Sequence, residues 1–455
     1  MRRRIRGAVA GLLTVGLVAT GAVTPAGAAP TRVWPVTPTS LGSLYGTVDP
    51  GGISSIRVWG SAIWCYMQPT ADASVQANLE ASLAPILDPV RDSGGGMAIV
   101  TIGHPAPWVF DNHPRAVRPT KWWSCGDHAS SVSIPSSAAL KPNKDGTPSV
   151  QAQRWAAYVG AVVDFIQNRY QGGIHVELET WNEPNLSSGL DPWLKVPGAA
   201  QSAKDAALAL YRYEAIAYDV IRAKGAQGSI TLGSSALFTR KNTFSETYLK
   251  AHARSPRIDA VHFNIYGFNA KTPSRAVADW DKRAGGVRSR LAKFKKLRSL
   301  PVYLTEANLN LVNTNSNRTN LKAAFRTDNE QRRMATATQM NAYYRGFRAV
   351  YWLVPWREQQ ASVFLKTNAG NPARDSLAVL QSALQGRTFT GCTSKKSVRT
   401  CTFYAADGGR ARVMWRVSGA STVKVSGASQ VLEMTGAVRP VGGRERITTT
   451  PIVLR

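Results

Sequence analysis

The chain has 455 residues, enough for two or three domains, and 44% of them are hydrophobic while 18% are charged. With 13 Trp, 14 Tyr and 12 Phe, this composition excludes a fully disordered chain, a collagen-like chain and a coiled coil. Lys and Arg number 56 against 28 Asp and Glu, a formal charge of +28, so every carboxylate asks for an explanation.

The N-terminus comes first. Arg2, Arg3, Arg4 and Arg6 precede an uncharged apolar run over residues 7–23, and Ala26-Gly27-Ala28 then supplies a small-x-small cleavage site. Residues 1–28 therefore read as a secretory signal peptide, and the mature protein is expected to be secreted. No later stretch approaches the ~20 apolar residues of a membrane span, so no transmembrane segment is expected in the mature chain.

From residue 53 short apolar runs alternate with helix-length amphipathic ones. Residues 53–59 read as a strand, 72–92 as a helix with Leu79, Leu83 and Leu87 on one face, and 97–102 as a strand. A long loop rich in Pro, Ser, Trp and Lys follows, of the kind that usually carries function. Next come a helix over 150–169, a strand over 174–181, a helix over 202–223 and a strand over 229–232. Helices over 244–253, 273–298, 328–346 and 375–384 then alternate with strands over 260–266, 302–305 and 349–354. An eighth strand would have to lie in 31–50. Such repetition means a parallel sheet covered by helices. Neither GxGxxG after the first strands nor GxxxxGK[ST] occurs, which disfavours an open nucleotide-binding sheet. The expected fold class is α/β: a (β/α)8 TIM barrel over 31–385. After Gly386 short β-rich runs spaced by glycines predict a small β-sandwich over 386–455.

Four cysteines in an exported chain favour disulfides. Cys392 and Cys401 flank a short turn-like segment, and pairing them leaves Cys65 for Cys125. No CxxC or HxxxH spacing supports a metal site.

The sharpest chemical signal is Glu179-Thr180-Trp181-Asn182-Glu183-Pro184-Asn185, where a strand ends and a loop begins. A second carboxyl group, Glu306, stands at the end of the strand that starts at Val302. Catalytic groups of parallel barrels gather at that carboxyl end. Two carboxyl groups facing one another there suit glycosidic cleavage, which needs one acid for the leaving oxygen and one carboxylate opposite. Glu177 and Glu179, on the same strand face as Glu183, read as buried carboxyls with partners.

The segment Trp181-Asn182-Glu183-Pro184-Asn185 resembles the strand-four signature of the clan-A (β/α)8-barrel glycoside hydrolases, and Thr305-Glu306 resembles their strand-seven nucleophile motif. Their family 39-like members, which include β-xylosidases, are the nearest in pattern: strand four ends in Glu-x-Trp-Asn-Glu-Pro-Asn and a β-sandwich follows the barrel. Residues 447–454 resemble the closing strand of such a sandwich. The resemblance implies a retaining hydrolase of a poly- or oligosaccharide, with Glu183 as general acid/base and Glu306 as nucleophile. It further implies Asn182 on the sugar 2-hydroxyl, Arg57 as the strand-two arginine that keeps the nucleophile ionised, Tyr266 beside the nucleophile, and Trp352 or Trp356 under the sugar. This chain departs from the His-x-Tyr common on strand six, carrying Asn264-Ile265-Tyr266 instead.

His104, after the third strand, is a candidate substrate contact or a loop histidine. Trp108, Trp122 and Trp123 either line sugar subsites or form a small satellite core, whereas Trp59 and Trp155 read as core. The densest basic run, from Lys282 to Arg298, lacks aromatic interleaving, so nucleic acid is not an expected partner. Attraction to an anionic polymer or cell envelope is. No cofactor or metal is expected. The alternatives are a catalytically inactive carbohydrate- or envelope-binding protein on the same scaffold, and a transglycosylase.

Overall fold

The computed structural model describes residues 55–58, 60–92, 96–110, 134–185, 200–239, 241–267, 272–309, 327–352 and 372–455. β1 (Ser55–Val58), β2 (Met97–Thr101), β3 (His175–Glu179) and β4 (Ile230–Gly233) form one parallel sheet in that order. β5 (Leu237–Phe238), β6 (Val261–Gly267), β7 (Val302–Leu309) and β8 (Ala349–Trp352) form a second, also parallel. Backbone bridges from Gly233 to Ala260 and from Asn182 to Ala236 join the two sheets. The hydroxyls of Ser55 on β1 and Tyr351 on β8 lie 2.7 Å apart, so the outermost strands meet through side chains. Among the described residues no backbone ladder joins β1 to β8. The strand expected within 31–50 lies outside the described residues.

Strand alternation sorts the side chains onto two faces. One set, including Ile56, Val58, Val100, Val176 and Leu178, packs into the main core with the helices. The other set includes Met97, Ile99, Ala260, Tyr303 and Tyr351, a separate small apolar cluster. Arg57, Thr101, Glu177, Glu179, His262 and Asn264 share the strand parity of that second set, and all are buried.

The helices are α1 (Trp64–Met67), α2 (Val75–Ser82), α3 (Ala84–Asp92), α4 (Val150–Tyr170), α5 (Ala203–Ala223), α6 (Thr243–Arg254), α7 (Pro273–Leu291), α8 (Asp328–Tyr344) and α9 (Pro372–Leu384). Six of them begin on a side-chain cap: Ser74, Ser149, Ser202, Asn242, Thr272 and Thr327 each accept a backbone N–H of the first turn. Such caps contribute roughly 1 kcal/mol each. The single helix expected over 72–92 is broken at Leu83. Pro85 has no N–H to donate to the preceding turn, so the hydrogen-bond ladder of the first helix is interrupted there. The helix expected over 273–298 ends at Leu291 and continues as turns. β5 has no counterpart in the sequence reading; it is a two-residue extension paired with Phe263 and Asn264.

After α9, β9 (Arg387–Lys395), β10 (Val398–Ala405), β11 (Arg410–Arg416), β13 (Gln430–Glu433), β14 (Val438–Pro440) and β16 (Ile452–Leu454) form a six-stranded antiparallel sheet, and β12 (Ser421–Lys424) pairs with β15 (Arg444–Ile447). The two layers fit the expected sandwich. Cys392 and Cys401 stand opposite one another on β9 and β10 and are joined by a disulfide. Cys65 is also disulfide-bonded; its expected partner, Cys125, lies outside the described residues.

This sheet seats directly on α7 and α8. Asp281 receives both guanidinium nitrogens of Arg399, at 2.9 Å each, and is clasped by Arg345 as well. Trp415 Nε1 donates to Asn341 Oδ1 at 2.8 Å, and Tyr343 packs against Phe389 and Phe403. The described residues belong to one compact unit. Among them no helix is long and apolar enough to cross a membrane.

Candidate active site

Glu183 lies four residues beyond β3, in a segment that the chain following β4 holds in place. Ala236 donates its N–H to Trp181 O at 2.9 Å, and Glu183 donates its own to Ala236 O at 2.8 Å. The Glu183 backbone sits at φ 49°, in the left-handed region. A non-glycine residue there costs about 1–3 kcal/mol and persists only where its surroundings fix it. Behind the segment Glu214 gathers Thr180, Ser235, Tyr248 and His252, with Oε1 accepting at 2.6–2.8 Å and Oε2 facing His252 Nε2 at 2.6 Å. This buried anchor ties α5 and α6 to the strand ends that carry the site.

Glu306 reaches the site through an irregularity in β7. Phe263 pairs with Leu304 but Asn264 pairs with Glu306, so Thr305 is an extra residue. A bulge of this kind re-aims the side chains that follow it. It brings Glu306 onto the inward parity of Tyr303. Thr305 also donates Oγ1–H to Asn264 Oδ1 at 2.8 Å.

Both oxygens of Glu306 accept hydrogen bonds: Oε1 from Arg57 Nη1 at 2.6 Å, Oε2 from the Tyr266 hydroxyl at 2.5 Å. Burial and the Glu306 charge push the Tyr266 phenol far above its ordinary range, so it stays a donor. Glu183 is held differently. Among the described residues its Oε1 accepts from Asn264 Nδ2, at 3.0 Å. Burial first, and then the charge of Glu306, push its carboxyl up to about 8, against the lowering pull of Asn264 and Arg57. At neutral pH one carboxyl group thus keeps its proton beside another gripped by two donors.

Asn182 has its orientation fixed by the same web. Its Oδ1 accepts from Arg57 Nη2 at 2.8 Å and from Asn264 Nδ2 at 3.1 Å. With two donors on the oxygen, the Nδ2 end is turned away from them.

Under the site runs a line of charges. Arg57 also donates Nη2–H to Glu179 Oε1 at 2.5 Å; Thr101 donates to the same oxygen at 2.8 Å. Glu179 Oε2 faces His262 Nδ1 at 2.9 Å, and His262 Nε2 faces Glu177 Oε1 at 2.5 Å. Burial opposes the charge of Arg57, but Glu179 and Glu306 outweigh it. Burial likewise opposes the charge of Glu179, yet Arg57 and His262 hold its carboxyl below the usual range. The carboxyls of Glu177 and Glu179 outweigh burial at His262 and raise its imidazole to about 9.

Of the expected residues, Arg57, Asn182, Tyr266 and Glu306 are thus linked by direct hydrogen bonds, and Asn264 bridges Glu183 to Asn182. Others are not. Trp352 is fully buried and donates Nε1–H to Gln339 on α8 at 2.9 Å, which turns its indole edge to the helix layer; this is a poor position for the floor of a sugar site. Trp356 lies outside the described residues. His104 is buried, has φ 69° and stacks on Trp181 with ring centroids 4.3 Å apart. Burial drives its imidazole down to about 3, so it stays neutral. This placement makes it a support for the Trp181 ring and not an open substrate contact. Trp108 donates to Gln68 O at 2.8 Å and packs edge-on to Trp64, which seats it against the main core and not in a separate satellite one. Trp122 and Trp123 lie outside the described residues. Trp155 is fully buried, as expected.

The sequence reading missed Asn264 and His262 as members of the site. Their parity with Tyr266 along one strand is the signal that finds them, since alternate residues share a face.

No protein-family model matches the chain, and no curated protein matches it. Solved structures do. A family 39 glycoside hydrolase from the gut symbiont Bacteroides cellulosilyticus WH2 superposes with a TM-score of 0.55 at 14% identity, covering 89% of this chain and 76% of that one. A GH51 arabinofuranosidase from Xanthomonas axonopodis pv. citri gives a TM-score of 0.47 at 11% identity over 93% of this chain and 90% of that one. An endo-β1,6-glucanase gives 0.48 at 13% identity over 88% and 82%. At these identities the likeness shows the fold alone, and the first of the three carries it: this chain shares the parallel α/β fold of that structure.

Proposed function

We propose that the protein is a retaining glycoside hydrolase, built on a (β/α)8 barrel of the clan-A type with family 39-like features, secreted, and acting on a poly- or oligosaccharide. The observation that carries this reading is the inequality of the two carboxyl groups. Glu183 is pushed up to about 8 beside Glu306, both of whose oxygens are gripped by donors. A carboxyl that keeps its proton beside another whose oxygens are both taken by donors is what an acid and a nucleophile require.

In the first step a Glu306 oxygen attacks the anomeric carbon while the bond to the leaving oxygen breaks, and Glu183 gives its proton to that oxygen. In the second, Glu183, now a carboxylate, takes a proton from water. The water oxygen bonds to the anomeric carbon and Glu306 departs with the electron pair. Asn182, with Nδ2 turned away from its donors, offers an amide to the sugar 2-hydroxyl. Arg57 and Tyr266 hold the nucleophile in register and, by donating to its oxygens, stabilise the negative charge that returns to Glu306 in the second step. The surplus of cations supports attraction to an anionic polymer or cell envelope.

A panel of aryl glycosides and polysaccharides tests the reading, run with wild type and with Glu306→Ala. Turnover by the wild type on at least one member, and loss of at least about a thousandfold in the variant, is expected. Absence of turnover on every member, with retention on the polysaccharides, would favour a binding protein instead.

A further inference from the structure

The charge line under the site runs through a histidine that the two-step mechanism does not use. Both ring nitrogens of His262 face carboxylate oxygens, Nδ1 toward Glu179 and Nε2 toward Glu177. A neutral imidazole has one donor and one lone pair, so one of these contacts would set a lone pair against a carboxylate. Only the doubly protonated ring donates to both. We propose that His262 is a positioning residue: as an imidazolium it balances Glu177 and Glu179, and so leaves the Arg57 guanidinium shared with Glu306.

The surroundings support this assignment. Glu177, Glu179 and Arg57 are all buried, so water does not screen them. Taking Glu177, Glu179 and Glu306 as carboxylates and His262 and Arg57 as cations, the line carries a net charge of −1. With a neutral His262 it would carry −2. Glu179 would then draw Arg57 from Glu306, and the extra negative charge would act on every nearby carboxyl. The other groups facing the ring are consistent with a cation. Tyr303 on β7 packs edge-to-face at 5.9 Å. Tyr351 on β8 lies near Glu177 and Arg57, with its phenol far above its ordinary range and therefore uncharged. The position is also tailored to the ring: a Cβ on Gly233 would lie 2.1 Å from His262 Cε1, so only glycine at 233 admits it. The raised imidazole, at about 9, agrees with the geometry.

The inference has one arm that rests on the hydrolase reading and one that does not. Ring 15N spectra of histidine-labelled wild type, with the signal identified by its loss in His262→Gln, should show both nitrogens protonated at pH 7. A neutral tautomer at pH 7 would overturn the proposal whatever the protein catalyses. For the kinetic arm, removing a buried cation raises the proton affinity of neighbouring carboxyls. His262→Gln should therefore lower kcat about tenfold or more and move the pH–rate profile upward by about half a unit to one unit, with KM changed less than about threefold. The double variant Glu177→Gln/His262→Gln restores the net charge, and should recover much of kcat and the wild-type profile. A merely structural histidine predicts a double variant no better than the single one and no shift in profile, and that result would overturn the proposal. If the wild type turns over no glycoside, the hydrolase reading fails while the spectra still decide the charge line.

Discussion

Asn264 donates its amide to Glu183 at 3.0 Å, the one side-chain donor to that proton-bearing carboxyl among the described residues. That bond lowers the proton affinity of Glu183 while burial and Glu306 raise it, and the raising causes win. Asn264→Ala should therefore push the alkaline limb of the kcat/KM profile to higher pH and cut kcat about tenfold, because Asn182 loses a partner as well. A pH–rate profile of the variant checks the direction. An alkaline limb displaced downward would mean that Glu183 is not the group it reports.

The same carboxyl ties stability to pH. Unfolded, a Glu titrates near ~4.3, whereas folded Glu183 holds its proton to about 8. Its contribution to stability is therefore full below the unfolded value and is lost as pH rises toward the folded one. Glu183→Gln has no proton to hold. It should melt with wild type at pH 4 and roughly 2–4 °C above it at pH 8. Melting curves at the two pH values decide this; equal melting at both would place the carboxyl in its ordinary range.

Much of this arrangement was legible in the sequence, and the reasons are local. The alternation of apolar runs with capped amphipathic ones follows from strand and helix periodicity. Pro184 marks where the β3 segment gives way to the site. What escaped the sequence depends on non-local register. The extra residue at Thr305 is defined only by its pairing with Phe263 and Asn264. Leu83 sits in the i, i+4, i+8 row with Leu79 and Leu87, and that pattern hid the break that Pro85 imposes. Trp352 stands at a strand end as a sugar-binding Trp would, but its edge goes to Gln339 on the helix outside. The strand-end pattern marks Glu179 as a buried carboxyl with partners; which partners, and that one of them is Arg57, is a matter of tertiary geometry.

Arg57 serves Glu306 through Nη1 and serves Glu179 and Asn182 through Nη2, a fork that a lysine ammonium cannot reproduce. Arg57→Lys should keep the charge yet lower kcat by about a hundredfold or more, with KM changed little. Arg57→Ala leaves buried Glu179 short of its cation and should destabilise the fold by roughly 3–5 kcal/mol. Denaturant titration beside steady-state kinetics separates the two effects. Wild-type kcat in Arg57→Lys would show that charge alone suffices.

The Cys392–Cys401 disulfide closes a separation of nine residues. Loop-closure entropy for so short a loop gives about 2–3 kcal/mol. The Cys392→Ser/Cys401→Ser protein should lose about that much in denaturant titration and retain kcat, since the pair lies far along the chain from Glu183 and Glu306. Peptide mapping without reduction should return this pair, and Cys65 joined to Cys125. Crossed pairing would refute the expected connectivity.

The most direct measurement of the central claim is covalent trapping. Wild-type protein is incubated with activated 2-deoxy-2-fluoro glycosides of the sugars that the substrate panel identifies, then digested and mapped by mass spectrometry. The fluorine slows both steps, and the activated leaving group lets the first outrun the second, so the glycosyl-enzyme accumulates. The expected result is one sugar per protein, attached to the peptide that contains Glu306, with inactivation in step with labelling. Label on another carboxyl group, or turnover to an inverted anomer with no labelling at all, would contradict it.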